Sequence, residues 1–511
     1  MRTLIPDPLS LYGIAPGTAT VGTVFALALM MPCAGFSREP EDRPVRLMPP
    51  SSLSTEVMVA ADAATATEPK PSRDAGAGAG KSYLRPAAEI LGFQFLLNRF
   101  DRYYFGGTDY DVTLSTVRHN LDHSWVTDRD SFRINQLGHP YQGSIYYGFA
   151  RSSGLTYWES LGYTFAGSAV WEIAGETTPP SRNDQIASGV GGTFLGESLF
   201  RIASLMLENP NGGSRFWREV SAAAVSPSTG FNRLAFGGRD DPVFSSRGAA
   251  YYSRFALGVS TRSTGTQNTS GASAASGRAE ALADFSIDYG LPGKPDYTYR
   301  RPFDYFAFQA TASSENVIEN VMTRGLLFGT DYGVGKYYRG VWGLYGSYDY
   351  ISPQLFRVSS TALSLGTTGQ LWLTNSVALQ GTALIGVGYA AAGNLRGNTD
   401  DRDYHYGVAP QSLLALRLIL GEKAALDVTG REYFVTHAAD AGRAGHDNIT
   451  RVDVGFTWRI HKRHALLLKY LWNRRDASFP DLGDRTQERA TIGIYYTLLG
   501  DNRFGATEWR R

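Results

Sequence analysis

The sequence predicts a mainly β protein, an antiparallel transmembrane β-barrel of about twelve strands preceded by a small helical module. That module is expected to plug the lumen or to dock on the periplasmic side. Three observations predict this class. The 511 residues are 19% charged and 13% aromatic, with 57 Gly and 29 Tyr, whereas an average chain carries about 25% charge and about 7% Gly. Mean hydropathy is −0.23, too polar for a bundle of spanning helices, and after the N-terminal region no run reaches the roughly 18 apolar residues such a helix needs. From about residue 249 the hydrophobic pattern changes to period 2, in segments of roughly 10–17 residues; soluble strands usually have about 5–6. Lys+Arg is 49 against Asp+Glu 48, without the basic excess of a nucleic-acid binder.

Residues 1–36 read as a signal peptide. Arg2 supplies positive charge, Val21–Met31 an apolar run, and Cys33-Ala34-Gly35 small residues for cleavage. A lipid anchor on Cys33 is a poorer fit, because Met30-Met31-Pro32 is bulky. With one cysteine, disulfides and a Cys-based zinc site are excluded. Residues 37–82 read as a disordered linker. Within it, Ala75–Ser82 imitates a phosphate-binding loop, but Glu68–Arg73 before it forms no strand to aim the amides.

Residues 83–240 carry the helical signals. Trp158–Glu176 is one helix, and Asp184–Leu207 is another, with Pro179-Pro180 and Ser181 as breaker and cap. Gly189, Gly192 and Gly196 form a small-residue stripe that admits a second backbone. From residue 249, Val452, Val454, Phe456, Trp458 and Ile460 alternate with polar or small neighbours, and Val377–Tyr389 does the same. Thr264–Gly277, Pro292–Tyr297, Gly393–Asp403 and Phe479–Asp484 are the expected turns or loops. The barrel is expected over 249–499 and a tail over 500–511. The last strand, with Thr491, Gly493, Tyr496 and Leu498, resembles the sorting signal read by the outer-membrane assembly machinery.

Candidate chemistry lies in the module. Its residues include Asn135, His139-Pro140-Tyr141, Trp158-Glu159, Trp171-Glu172, Asn183-Asp184, Glu197 and Arg201. The set resembles an uncharacterised bacterial family, domain of unknown function family 3943, over about 120–235. That resemblance implies kinship and no activity. Glu172 and Glu176 share a helix face, and Glu197 can pair with Arg201 four residues on. His139, in a turn, is a possible general base. Asp128 and Asp130 fit solvated turn acids better than a calcium site. No metal and no cofactor is expected, and no Gly-x-Ser-x-Gly or His-Glu-x-x-His signature occurs.

The leading functional expectation is an outer-membrane protein whose partners are outer-membrane lipid and the assembly machinery, acting as a plugged conduit or a lipid organiser. The first alternative is an envelope enzyme on lipid or lipopolysaccharide using His139, Glu172, Glu197 and Arg201, with Asn135, Tyr141, Trp158, Glu159, Trp171, Asn183 and Asp184 as ligand contacts. The second is a scaffold binding a protein through the linker.

Overall fold

The computed structural model describes residues 80–511, apart from 105–107, 129, 210–212, 238–242, 269–270, 395–401, 437–444, 481–482, 501–502 and 510–511. The expected signal peptide and almost all of the linker lie outside the described residues. Among those described, the module contains α1 (Leu84–Tyr104), α2 (Leu114–Asp122), α3 (His139–Ser152), α4 (Tyr157–Ala174), α5 (Arg182–Ile186), α6 (Gly192–Glu208), α7 (Arg215–Val225) and α8 (Pro227–Ala235). Two π-turns, Ile134–Gly138 and Ala187–Gly191, run directly into α3 and α6.

Local sequence explains the boundaries. The Thr156 hydroxyl accepts from the Glu159 amide while the Glu159 carboxylate accepts from the Thr156 amide, a capping box that starts α4. Ser181 caps α5 by accepting from the Asp184 amide. The glycine stripe acts as expected. A Cβ on Gly192 would lie 2.7 Å from Gly143 Cα, and one on Gly143 would lie 2.1 Å from the Ser188 carbonyl oxygen. Backbone meets backbone there, and α3 packs closely on α6.

The strands are β1 (Tyr251–Asn268), β2 (Gly271–Tyr289), β3 (Phe306–Ser313), β4 (Asn320–Val334), β5 (Tyr338–Ile351), β6 (Phe356–Trp372), β7 (Val377–Asn394), β8 (Tyr404–Leu420), β9 (Ala424–Thr436), β10 (His446–His461), β11 (His464–Phe479) and β12 (Gly483–Leu499). Each pairs antiparallel with its neighbours, and β1 pairs with β12 to close the barrel. One loop expectation needs correction. Thr264–Gly277 is mostly strand, with β1 running to Asn268 and β2 resuming at Gly271. Gly, Ser, Thr and Ala dominate that stretch, so apolar alternation fades while the backbone ladder continues.

Ion pairs between non-adjacent strands identify the lumen side. Arg254 on β1 reaches Asp427 on β9 at 3.1 Å, and Lys469 on β11 lies 3.5 Å from Asp284 on β2. Arg417 bridges Asp427 at 2.6 Å and Asp288 at 3.0 Å. The opposite parity points outward and is apolar: Leu257 and Val259, Leu363 and Leu365, Ile385 and Val387, Phe456 and Trp458, Ile492 and Ile494 are all exposed. This division is the two-faced strand the period-2 pattern predicts.

The helices are not in the lumen. Phe285 pairs with Phe255, which shares a face with exposed Leu257, so Phe285 points outward. Phe285, Phe308, Val321, Tyr348 and Tyr406, all of outward parity, share one buried apolar cluster with Phe132, Phe194, Leu199 and Ile202 of the module. The Ser198 and Thr323 hydroxyls lie 2.6 Å apart, and Tyr348 donates to the Gln136 carbonyl at 2.5 Å. The plug expectation is therefore corrected: the module covers the outside of the wall. The reason is chemical. The lumen face is lined by its own charged side chains, which pair across it, while β2–β8 present an outward patch of aromatic and small residues that only another apolar surface can cover.

The C-terminal tail enters one mouth of the barrel. The Thr507 carbonyl accepts from Gln370 at 2.8 Å and Trp372 at 3.1 Å, and the Gly505 carbonyl accepts from Gln380 at 2.8 Å.

Candidate functional site

Helix α3 begins at His139, the C-terminal half of α4 carries Glu172, and α5 carries Asp184. Their ligating atoms lie within 4.8 Å of one another, and all three residues are buried. His139 Nε2 is 3.9 Å from Asp184 Oδ1, and its Nδ1 faces the Ser188 hydroxyl at 3.4 Å. Glu172 Oε2 accepts from the Ser181 amide at 3.0 Å, while Glu172 Oε1 is buried with no hydrogen-bond partner. Asp184 Oδ1 accepts from Asn183 Nδ2 at 2.9 Å. Among the described residues, no Lys or Arg pairs with either carboxylate. An uncompensated pair of buried acids is costly, so this cluster stands apart from ordinary core packing.

The other two catalytic candidates sit elsewhere. Glu197 accepts from Arg151 Nε at 2.8 Å, Arg201 Nε at 2.7 Å and the Tyr147 hydroxyl at 2.8 Å. Arg201 continues to Asp304 at 3.2 Å and the Pro302 carbonyl at 2.7 Å, in the segment between β2 and β3. The guanidinium of Arg151 also lies 4.7 Å from the centre of the Phe200 ring. Arg151 is twelve residues beyond His139 on the same helix, a rise of about 18 Å between their backbone positions. The structure therefore brings His139 and Glu172 together with Asp184 and leaves Glu197 and Arg201 in a saturated ion network.

The expected ligand contacts divide in the same way. Asn135 donates to Asp128 at 2.8 Å and to the Tyr404 hydroxyl at 3.0 Å, and Asn183 donates to the Tyr406 hydroxyl at 2.8 Å. Both amides thus tie the helices to the barrel wall. Glu159 binds Lys81 at 2.9 Å besides capping α4, and Trp158 stacks on Phe328 with ring centres 5.3 Å apart. Trp171 donates to Glu176 at 2.7 Å, and Tyr141 packs at the edge of the wall-facing core. Sequence reasoning did not assign roles to Arg151, Tyr147 or Asp304. The first two face Glu197 across a helix contact set by the glycine stripe. Asp304 lies more than a hundred residues from Arg201, and no local spacing signals that pairing.

Fold and site together define a closed antiparallel β-barrel with an external helical module holding a buried His/Glu/Asp cluster. Residues 124–228 match the family model described as domain of unknown function (DUF3943), the family that the sequence resembles over about 120–235. No curated protein matches the chain. Solved structures that it resembles include the NanC porin, at 7% identity with a TM-score of 0.23 over 47% of this chain and 98% of that one. The translocator domain of the autotransporter NalP from Neisseria meningitidis matches at 13% identity and a TM-score of 0.22, over 48% and 88% of the two chains. The P. putida toluene transporter TodX matches at 9% identity and a TM-score of 0.22, over 49% and 90%.

Proposed function

We propose that this chain is a bacterial outer-membrane protein that organises envelope lipid, with its helical module standing in the lipid layer against the barrel wall. The polarity of α1 is the observation that carries the proposal. The helix buries Pro86, Ile90, Gln94, Asn98 and Asp101. Gln94 donates to the Gly167 carbonyl at 2.6 Å and Asn98 to the Gly175 carbonyl at 2.9 Å. It exposes Leu84 at 85%, Leu91 at 55%, Phe95 at 63% and Leu96 at 67%. A helix on a water-soluble domain has the opposite polarity. Over residues 84–98 the large exposed side chains are apolar and the amides are buried, which suits a hydrocarbon surround, where every polar atom must be satisfied within the protein. The exposed Arg99 and Arg102 stand in the last turns of α1, where long cationic side chains can reach a headgroup boundary. The apolar surface also continues around the molecule. Phe194 of α6 packs on Gly346, whose strand partner Leu363 belongs to the exposed belt of the barrel.

The end that holds both barrel termini carries the short turns 335–337, 373–376 and 421–423 and also the longest connection, 290–305, between β2 and β3. The ion pairs spanning the lumen and the tail in its mouth favour lipid organisation over conduction. Burial of the His139 cluster and neutralisation of Glu197 and Arg201 give the enzyme alternative no comparable support.

Spin labels test the proposal. With Cys33→Ser removing the native thiol, cysteines at 91, 95 and 96 are labelled in protein reconstituted into phospholipid vesicles. Collision with oxygen is expected to exceed collision with a water-soluble nickel chelate. Labels that meet nickel freely at all three positions would place α1 in water and remove the proposal.

A further inference from the structure

We propose that His139, Glu172 and Asp184 form a binding site for one divalent transition-metal cation of the zinc or manganese class. The donors come from three helices, yet their ligating atoms gather within 4.8 Å. Ligands about 2.1 Å from a tetrahedral ion stand about 3.4 Å apart. The 3.9 Å between His139 and Asp184 thus needs only a small contraction. A second observation is independent of this spacing. Glu172 is 4% exposed, and its Oε1 has no partner, leaving a lone pair that a cation would satisfy.

The surrounding groups orient each donor. The Ser188 hydroxyl faces His139 Nδ1, which leaves Nε2 turned toward the carboxylates. The Ser181 amide holds Glu172 by Oε2, and Asn183 holds Asp184 by Oδ1. Supporting hydrogen bonds of this kind fix metal ligands in place. One imidazole with two carboxylates is a mixed nitrogen and oxygen set. It suits zinc, manganese or iron better than calcium, which takes six to eight oxygens. The charge balance agrees, because a 2+ ion offsets two acids that no Lys or Arg neutralises. Asn183 also donates to Tyr406, so the ion would clasp α3, α4 and α5 beside the wall they dock on.

Full-length protein, folded in detergent and stripped with a chelator, is the material for the test. Zinc, manganese and calcium are added separately, and bound metal and the helical melting curve are measured. The wild type is expected to take up one zinc or manganese per chain, with a higher helical melting temperature. Glu172→Gln and Asp184→Asn are expected to weaken uptake more than about tenfold. Glu176→Gln, which removes an acid bonded instead to Trp171 and Thr178, is expected to bind like the wild type. Folded wild-type protein that takes up no stoichiometric zinc or manganese, or only calcium, overturns the proposal, as does undiminished uptake by both acid variants. Should those variants fail to fold, stripping and reloading the wild type decides the matter alone.

Discussion

At the residue scale, burial decides what each charged or small side chain is worth. Glu197 is fully enclosed between Arg151 and Arg201. Glu197→Gln keeps the volume but leaves the buried Arg151 guanidinium without its counter-charge and Arg201 with Asp304 alone, and is expected to cost about 3–5 kcal/mol of module stability. Chemical denaturation followed by helical circular dichroism checks this, and a wild-type midpoint would show that the network is dispensable. Gly143 is limited by space instead. Gly143→Val must push against the Ser188 backbone, with an expected loss of about 1–3 kcal/mol from overpacking. The same melts report it, and heat-modifiable gel migration shows whether the barrel itself survives. The i,i+4 spacing of Glu197 and Arg201 was legible in the sequence because a helix fixes it. Their partners Arg151 and Asp304 were not, because helix packing and a loop between strands bring them near.

At the scale of elements, sequence pattern carried most strands and the two central helices, since periodicity is a local property. Val452–Ile460 and Val377–Tyr389 alternate cleanly and lie within β10 and β7. Between Thr264 and Gly277 the pattern failed, because strand ends built from small and hydroxylated residues keep their ladder without an apolar stripe. Helix α1 carries the sharpest prediction at this scale. Phe95→Arg puts a charge on its outward face, a cost of roughly 2.5–3.5 kcal/mol if that face meets hydrocarbon. On a water-facing helix the same change would be nearly neutral. Assembly yield in membranes and the detergent melting curve are both expected to fall, and a neutral result would count against a lipid-facing α1.

At the scale of the whole molecule, the position of the module changes what its removal should do. Because the helices lie outside the wall, deleting residues 84–235 is expected to leave planar-bilayer conductance as low as in the full chain. Ion pairs such as Arg254–Asp427 and Lys469–Asp284 still cross the lumen. A large conductance appearing on deletion would restore the plug. The sequence by itself determined a closed β architecture of about twelve strands, a helical region before it and a family resemblance over about 120–235 that the match at 124–228 agrees with, because strand alternation and motif identity are written residue by residue. Only the tertiary structure decided that the helices cover the outer wall and that His139 meets Glu172 and Asp184. Both depend on which surfaces meet across long separations in the chain, where charge in the lumen and apolar surface on the wall compete to select the partner.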